Sequence, residues 1–290
     1  MMLVKNLDIF TPIIDDPKIQ GEIAACNVTN DIFAMNVPVI SGMLIFMAID
    51  TKAPDYISKG ILKGIKYFME EKIDSKVVGG HTILCDWPLI GGEASGFVHK
   101  NAVIRKNYIK EGDQLILTKP LGLQAIMAAY RILKDMPDLL EQFSRTELNK
   151  SIDLAIEMMT TSNQNVVQTI HSYEDFSFVH SLSDVTGFGL AGHTKEMLQN
   201  SNLSAVIKKI PAIKHSERLS HDLGYAFDEC RSHETAGGML MAIDGEMVED
   251  FQNSLNSRGI KNWNVGEIDK KTAGEVRVSP QVEVIEIEKI

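Results

Sequence analysis

The 290-residue chain carries 29 lysine and arginine against 39 aspartate and glutamate residues, a formal net charge of −10, and is 44% hydrophobic and 23% charged. That composition belongs to a folded globular chain of about two domains and excludes a disordered one. The acidic balance argues against broad binding to nucleic-acid phosphates or anionic lipid. Three cysteines cannot build a disulfide scaffold, and with no signal-peptide-like leader at Met1 the expected compartment is the reducing cytoplasm. The longest apolar run, Met43 to Ile49, is too short to span a bilayer.

In chain order, Leu7 to Ile14 reads as a strand. Asp16 then reads as an N-cap with Pro17 at the first helical position, and the helix runs to about Met35. Val37 to Ile49 is β-branched and apolar, a buried strand. Asp55 to Lys72 is a second helix, with Ile57, Ile61, Leu62, Ile65 and Phe68 on one face. Lys76 to Val98 is strand-rich and broken by Gly79-Gly80 and Gly91-Gly92. A polar boundary falls between Asn101 and Asp113. Beyond it, Gln114 to Thr118 is a strand, and Leu121 to Leu133 and Arg145 to Ser172 are helices. Phe176 to Leu182 is a strand, followed by a glycine-rich turn and a helix to about Asn200. Ser204 to Ile210 and Gly238 to Ile243 are strands, Glu246 to Arg258 is a helix, and two strands near Val265 and Val276 to Val278 close the chain. Strands and helices mix without a regular βαβ period, so the expected fold class is α+β in two domains, 1–107 and 108–290.

Some residues carry chemistry out of keeping with their surroundings. The first helix is apolar nearly all round, which predicts burial. Yet Gln20, Asn27 and Asp31 fall within one narrow stripe. A buried polar stripe ending in a carboxylate needs hydrogen-bond partners or a metal. Asp8, an acid inside an apolar strand, suits hard-cation ligation, whereas Asp16 needs only its capping role. Asp184 opens Asp184-Val185-Thr186-Gly187-Phe188-Gly189-Leu190-Ala191-Gly192-His193 at a strand-to-helix junction, where backbone N–H groups can meet a phosphate. The embedded G-x-G-x-x-G lacks the acidic residue that a dinucleotide site needs about 20 residues on, so a tight turn is the simpler reading. Gly79-Gly80-His81-Thr82 and Thr235-Ala236-Gly237-Gly238 read either as turns or as close-approach points for phosphate. Lys119 reads as a solvated lysine at a strand end. Cys26, Cys85 and Cys230 have no metal-ligand spacing.

Six segments in order resemble the selenophosphate synthetase (selenide, water dikinase) family, in the superfamily that also holds aminoimidazole ribonucleotide synthetase. They are Asp8-Ile9-Phe10-Thr11-Pro12-Ile13-Ile14-Asp15-Asp16-Pro17, Asn30-Asp31-Ile32-Phe33-Ala34-Met35, Gly79-Gly80-His81-Thr82-Ile83, Leu117-Thr118-Lys119-Pro120-Leu121-Gly122, Asp184-Val185-Thr186-Gly187-Phe188-Gly189-Leu190, and Glu234-Thr235-Ala236-Gly237-Gly238. The resemblance implies an N-terminal β-rich dimerising domain, a C-terminal α/β sandwich domain, and a homodimer. It implies ATP with phosphate-bridging Mg²⁺ held by Asp8, Asp31 and Asp184. Asp8, Gly79, Gly80, His81 and Thr82 would border the nucleotide and its phosphates. The implied reaction turns ATP, selenide and water into selenophosphate, AMP and phosphate, with most of the rate coming from electrostatic stabilisation of the transferring phosphoryl groups.

The resemblance also exposes departures. The family's glycine-rich stretch with a cysteine or selenocysteine and a lysine precedes the segment that starts here and is absent from Met1 to Asn6. No catalytic residue is therefore assigned, and an N-terminally shortened chain is expected. Leu84-Cys85-Asp86-Trp87-Pro88 departs from the usual loop, and His233 stands where proline is usual. These departures leave two further readings: a non-catalytic regulatory or dimerising partner of a full-length family member, and a small-molecule kinase that cleaves ATP to ADP.

Overall fold

A computed structural model describes residues 1–289. The chain forms two compact units, one from Met1–Val103 with Met159–Gln168, the other from Ile104–Met158 and the described chain after Thr169.

Unit 1 is built on β1 (Met2–Phe10), α1 (Pro17–Phe33), β2 (Ile40–Ile49), α2 (Asp55–Tyr67), β3 (Val77–Leu84) and β4 (Leu89–Val98). Its sheet has the order β1-β4-β2-β3, with β3 parallel to β2 and the other pairs antiparallel. β1 starts earlier than its apolar run suggests and stops at Phe10. The N–H groups of Ile13 and Ile14 leave the ladder and donate to Gln20 Oε1 (2.8 and 3.3 Å). Gln20 thus staples the β1–α1 connection, the structural half of the polar-stripe expectation. Asp16 caps α1 as expected, accepting from Lys18 N at 2.8 Å and Ile19 N at 3.0 Å. α1 packs on β1 and β4 and crosses α2 at backbone distance. A Cβ on Gly21 would strike Ile61 O, and one on Gly64 would strike Lys18 O, so both crossing positions require glycine.

Two expectations need correction in this part of the chain. Gly79-Gly80 and Gly91-Gly92 do not break strands; they lie within β3 and β4. Absence of a side chain there permits close backbone approach, because a Cβ on Gly91 would meet Asp8 O and one on Gly92 would meet Leu44 O. The predicted helix Arg145 to Ser172 is two helices, α4 (Arg145–Thr160) and α5 (Gln164–Ile170). Polar groups at the break find partners within unit 1: Asn163 Nδ2 donates to Asn30 Oδ1 (3.0 Å), Lys72 Nζ to Thr160 O (2.8 Å), and Gln164 Nε2 to Pro38 O (3.1 Å).

Unit 2 contains β5 (Gln114–Leu117), α3 (Leu123–Asp135), β6 (Val179–Asp184), α6 (Gly189–Met197), β7 (Ser204–Ile213), α7 (Ser216–Leu223), β8 (Met239–Ile243), α8 (Val248–Ser257), β9 (Trp263–Asp269) and β10 (Val276–Ile287). Its sheet order is β10-β7-β9-β5-β8-β6, antiparallel except for β7–β10. Leu115, Leu117, Leu190, Met197, Ile207, Leu240 and Val265 form its core. Helix α7 is invisible to apolar periodicity, since its buried residues are Ser216, Leu219 and Ser220. Lys119 corrects the solvated reading: it is only 4% exposed, and Nζ donates to Met158 O (2.9 Å) and Ala236 O (2.7 Å). Lys119→Met leaves both carbonyls without that donor, and we expect chemical denaturation to show a loss of about 2–4 kcal/mol.

Candidate active site

In unit 1 the site is assembled where α1 lies across β1. Alternation along β1 turns Asn6 and Asp8 toward the helix and Leu3, Lys5 and Leu7 away from it. Asn6 Nδ2 donates to Val28 O (3.1 Å), and the Asp8 carboxylate accepts from Asn27 Nδ2. Asp31 follows Asn27 by four residues, one turn along the same face of α1. Burial pushes the Asp8 carboxyl above the usual range, opposed by hydrogen bonds from the Ile9 backbone and Asn27. Among the described residues no lysine or arginine forms an ion pair with Asp8. A half-buried carboxylate held only by neutral donors is a fitting oxygen ligand for a hard cation.

Gly79, Gly80, His81 and Thr82 lie on β3 and are exposed. β3 and β1 are opposite edges of the sheet. Asp8 and this segment are therefore three strand spacings apart, roughly 14 Å. The fold brings Asp8 to Asn27 and the Asp31 face of α1, but not to Gly79–Thr82 within the protomer. Gly79–Thr82, with Leu62 and Ile45, border a hollow of about 550 Å³. A Cβ on Gly80 would meet Ile45 O, so this strand lies close against β2.

In unit 2, β6 ends on Asp184, which is only 3% exposed. The next residues make a tightly clamped turn. Val185 N donates to Gly238 O (2.9 Å), and Thr186 O accepts from Gly189 N (3.0 Å) and Glu234 N (3.1 Å). Gly189 has φ +66° and packs against Cys230 O and Ser232 O, which suits the tight-turn reading of the G-x-G-x-x-G stretch. His193 Nε2 accepts from Thr186 N (3.0 Å), while Nδ1 lies 3.1 Å from Glu196 Oε2. Burial holds the His193 imidazole below its ordinary range. The Glu234-Thr235-Ala236-Gly237-Gly238 turn packs on this one backbone to backbone, since a Cβ on Gly237 would strike Val185 O. Its glycines are thus explained by packing. Glu234 is buried, and its carboxyl oxygens accept from Gly122 N (2.8 Å) and Leu123 N (3.0 Å), capping α3. Burial pushes that carboxyl up to about 8.

Sequence reasoning passed over Glu234 and His193 as chemistry, although both stand inside the quoted motifs. A glutamate in the turn before a strand and a histidine seven residues after a turn threonine are ordinary spacings, and only the contacts distinguish them. The cysteines behave as packed or plain side chains. Cys26 is buried with Sγ 3.3 Å from Thr161 O, burial pushes the Cys230 thiol up to about 12, and Cys85 is partly exposed. No described helix is long and apolar enough to cross a membrane.

Comparison with known proteins matches this geometry to one family. Residues 1–98 match the AIR synthase related protein N-terminal domain, and residues 110–279 match its C-terminal domain. The selenide, water dikinase of Methanocaldococcus jannaschii is 41% identical over 290 residues, spanning 99% of this chain and 82% of that protein. That of Methanococcus maripaludis is 37% identical over 99% of this chain and 86% of its own length. A solved structure of the hydrogenase maturation protein HypE in complex with ATP shares the fold at a TM-score of 0.75 and 15% identity, covering 97% of this chain and 83% of that one. Two AIR synthase-type domains, with extensive identity to both archaeal enzymes, make this chain a member of the selenide, water dikinase family.

Proposed function

We propose that this protein makes selenophosphate, AMP and orthophosphate from ATP, selenide and water. The observation that carries the reading is 41% identity, across 99% of the chain, to a protein named for that reaction. ATP use is supported by a structural neighbour solved with ATP bound. The carboxylates of Asp8, Asp31 and Asp184 would hold Mg²⁺, an ion that prefers oxygen ligands and offsets phosphate charge. The geometry at Asp8 and the burial of Asp184 support that assignment. Gly79, Gly80, His81 and Thr82 would border the nucleotide, where an exposed glycine-bearing strand lets a phosphate approach the backbone. Asn27 orients Asp8, and the clamped Thr186 turn orients Asp184. A reduced selenide substrate suits a reducing cytoplasm.

Incubation of the purified protein with ATP, Mg²⁺ and selenide should yield AMP and orthophosphate in equal amounts, with turnover lost when selenide is omitted. ADP as the final nucleotide would reject this reaction in favour of a simple kinase.

We also propose a homodimer through the outer face of the unit 1 sheet. Leu3, Leu7, Leu44 and Phe97 are 48, 67, 44 and 52% exposed there, and the Lys5–Glu93 pair (3.1 Å) lies among them. Adjacent apolar side chains on one sheet face mark an interface more than scattered ones do, and a two-fold dimer would cover the patch with its own copy. The double variant Leu7→Asp/Phe97→Asp should elute as a monomer by light scattering with an unchanged far-UV spectrum; an unchanged dimer mass would remove this face from the interface.

A further inference from the structure

We propose that His193 is a positioning residue, which fixes the Thr186 turn, and through it the Asp184 carboxylate, by holding one neutral tautomer. A backbone N–H can only donate, so the 3.0 Å contact from Thr186 N requires an unprotonated Nε2 on His193. A neutral imidazole then carries its proton on Nδ1, which points at Glu196 Oε2 at 3.1 Å. Lys106 Nζ donates to the same carboxylate oxygen at 3.3 Å. The result is a chain from Thr186 through His193 and Glu196 to Lys106, with Thr186 Oγ1 also 3.2 Å from Nε2.

The other contacts of the Thr186 peptide show why this matters. Its carbonyl is already held by Gly189 N and Glu234 N, so His193 supplies the bond on the N–H side. Asp184 lies two residues upstream, at the end of β6. With Val185 tied to Gly238, each peptide after the carboxylate is bonded. The imidazole is 4% exposed, so the acceptor that Thr186 N meets is a buried ring held in place by its own surroundings. The charged groups that face it are Glu196 on its own helix and Lys106 from the segment before β5, and the Phe188 ring lies 5.5 Å away. Glu196 selects the tautomer and Lys106 holds the Glu196 carboxylate in place, the arrangement by which outer partners orient a ligand-bearing element. Protonation at Nε2 would set two donors against each other.

This inference rests on Asp184 being a metal ligand, and the test separates the two. In the wild-type protein, ¹⁵N NMR of the imidazole should show a neutral ring protonated at Nδ1 at pH 7. Calorimetry with Mg²⁺-ATP should show His193→Ala binding about 10–100-fold more weakly. His193→Gln, whose amide oxygen can accept from Thr186 N, should recover most of that loss. Glu196→Ala should mix the tautomers, whereas Glu196→Gln, which still accepts from Nδ1, should not. A ring protonated at Nε2, or cationic at pH 7, overturns the proposal without any variant having to fold. So does unchanged Mg²⁺-ATP affinity in His193→Ala while Asp184→Asn binds weakly. Unchanged affinity in both variants overturns the metal assignment itself, and this proposal with it.

Discussion

Asp184→Asn is expected to lower selenide-dependent AMP formation by at least about 10²–10³-fold, the scale on which removal of one preorganised electrostatic group acts. The substitution keeps shape and volume and deletes only charge. Asp184 is 3% exposed at the end of a strand whose residues are all buried, so a carboxylate there is costly unless a cation or strong donors meet it. Its neutral isostere preserves that packing and should melt close to the parent protein. The expected pattern is lost turnover and weakened Mg²⁺-ATP binding in a chain of near-parental thermal stability. Near-normal turnover in Asp184→Asn would remove Asp184 from the metal site. A large fall in melting temperature would instead mean that its charge serves the fold.

The largest stability effect is expected at Glu234. Its two carboxyl oxygens meet Gly122 N and Leu123 N, at the start of α3, and the residue is buried. Glu234→Ala leaves both N–H groups buried and without that acceptor, which should cost about 2–4 kcal/mol in urea denaturation. Glu234→Gln keeps one acceptor and should cost roughly half as much. A pH dependence accompanies this. Burial raises the folded carboxyl from 4.5 to about 8, so between those values the folded state keeps a proton that the unfolded state has released. Stability should therefore fall as pH rises from about 4.5 to about 8, and the slope should flatten in Glu234→Gln. A parent protein whose stability rises across that window, with no change in the Gln variant, would show that Glu234 is ionised when folded.

The polar residues of α1 serve different ends along one helix. Gln20 serves the backbone of Ile13 and Ile14, while Asn27 reaches Asp8. Nothing in their shared helical spacing distinguishes them, because spacing assigns a face and not a partner. Lys119 shows the same gap in reverse. A lysine beside a proline at a strand end looks solvated, yet Met158 and Ala236, distant in sequence, supply the carbonyls that bury it. Helix α7 escapes sequence reading because its core-facing residues are two serines and one leucine, so no apolar period exists to read.

Local chemistry was sufficient by itself to specify the α+β class, the cap at Asp16, most strands and the aspartate-led segments that identify the family. Each depends on neighbours within a few residues, or on motifs preserved as written in the chain. Strand order and its consequences were decided only by the tertiary structure. That order separates Asp8 from Gly79–Thr82 on opposite sheet edges, presents Leu3, Leu7, Leu44 and Phe97 on one outer face, and turns Glu234 and His193 into buried acceptors. These are pairings between residues far apart in sequence, selected by packing and by the need to satisfy every buried donor.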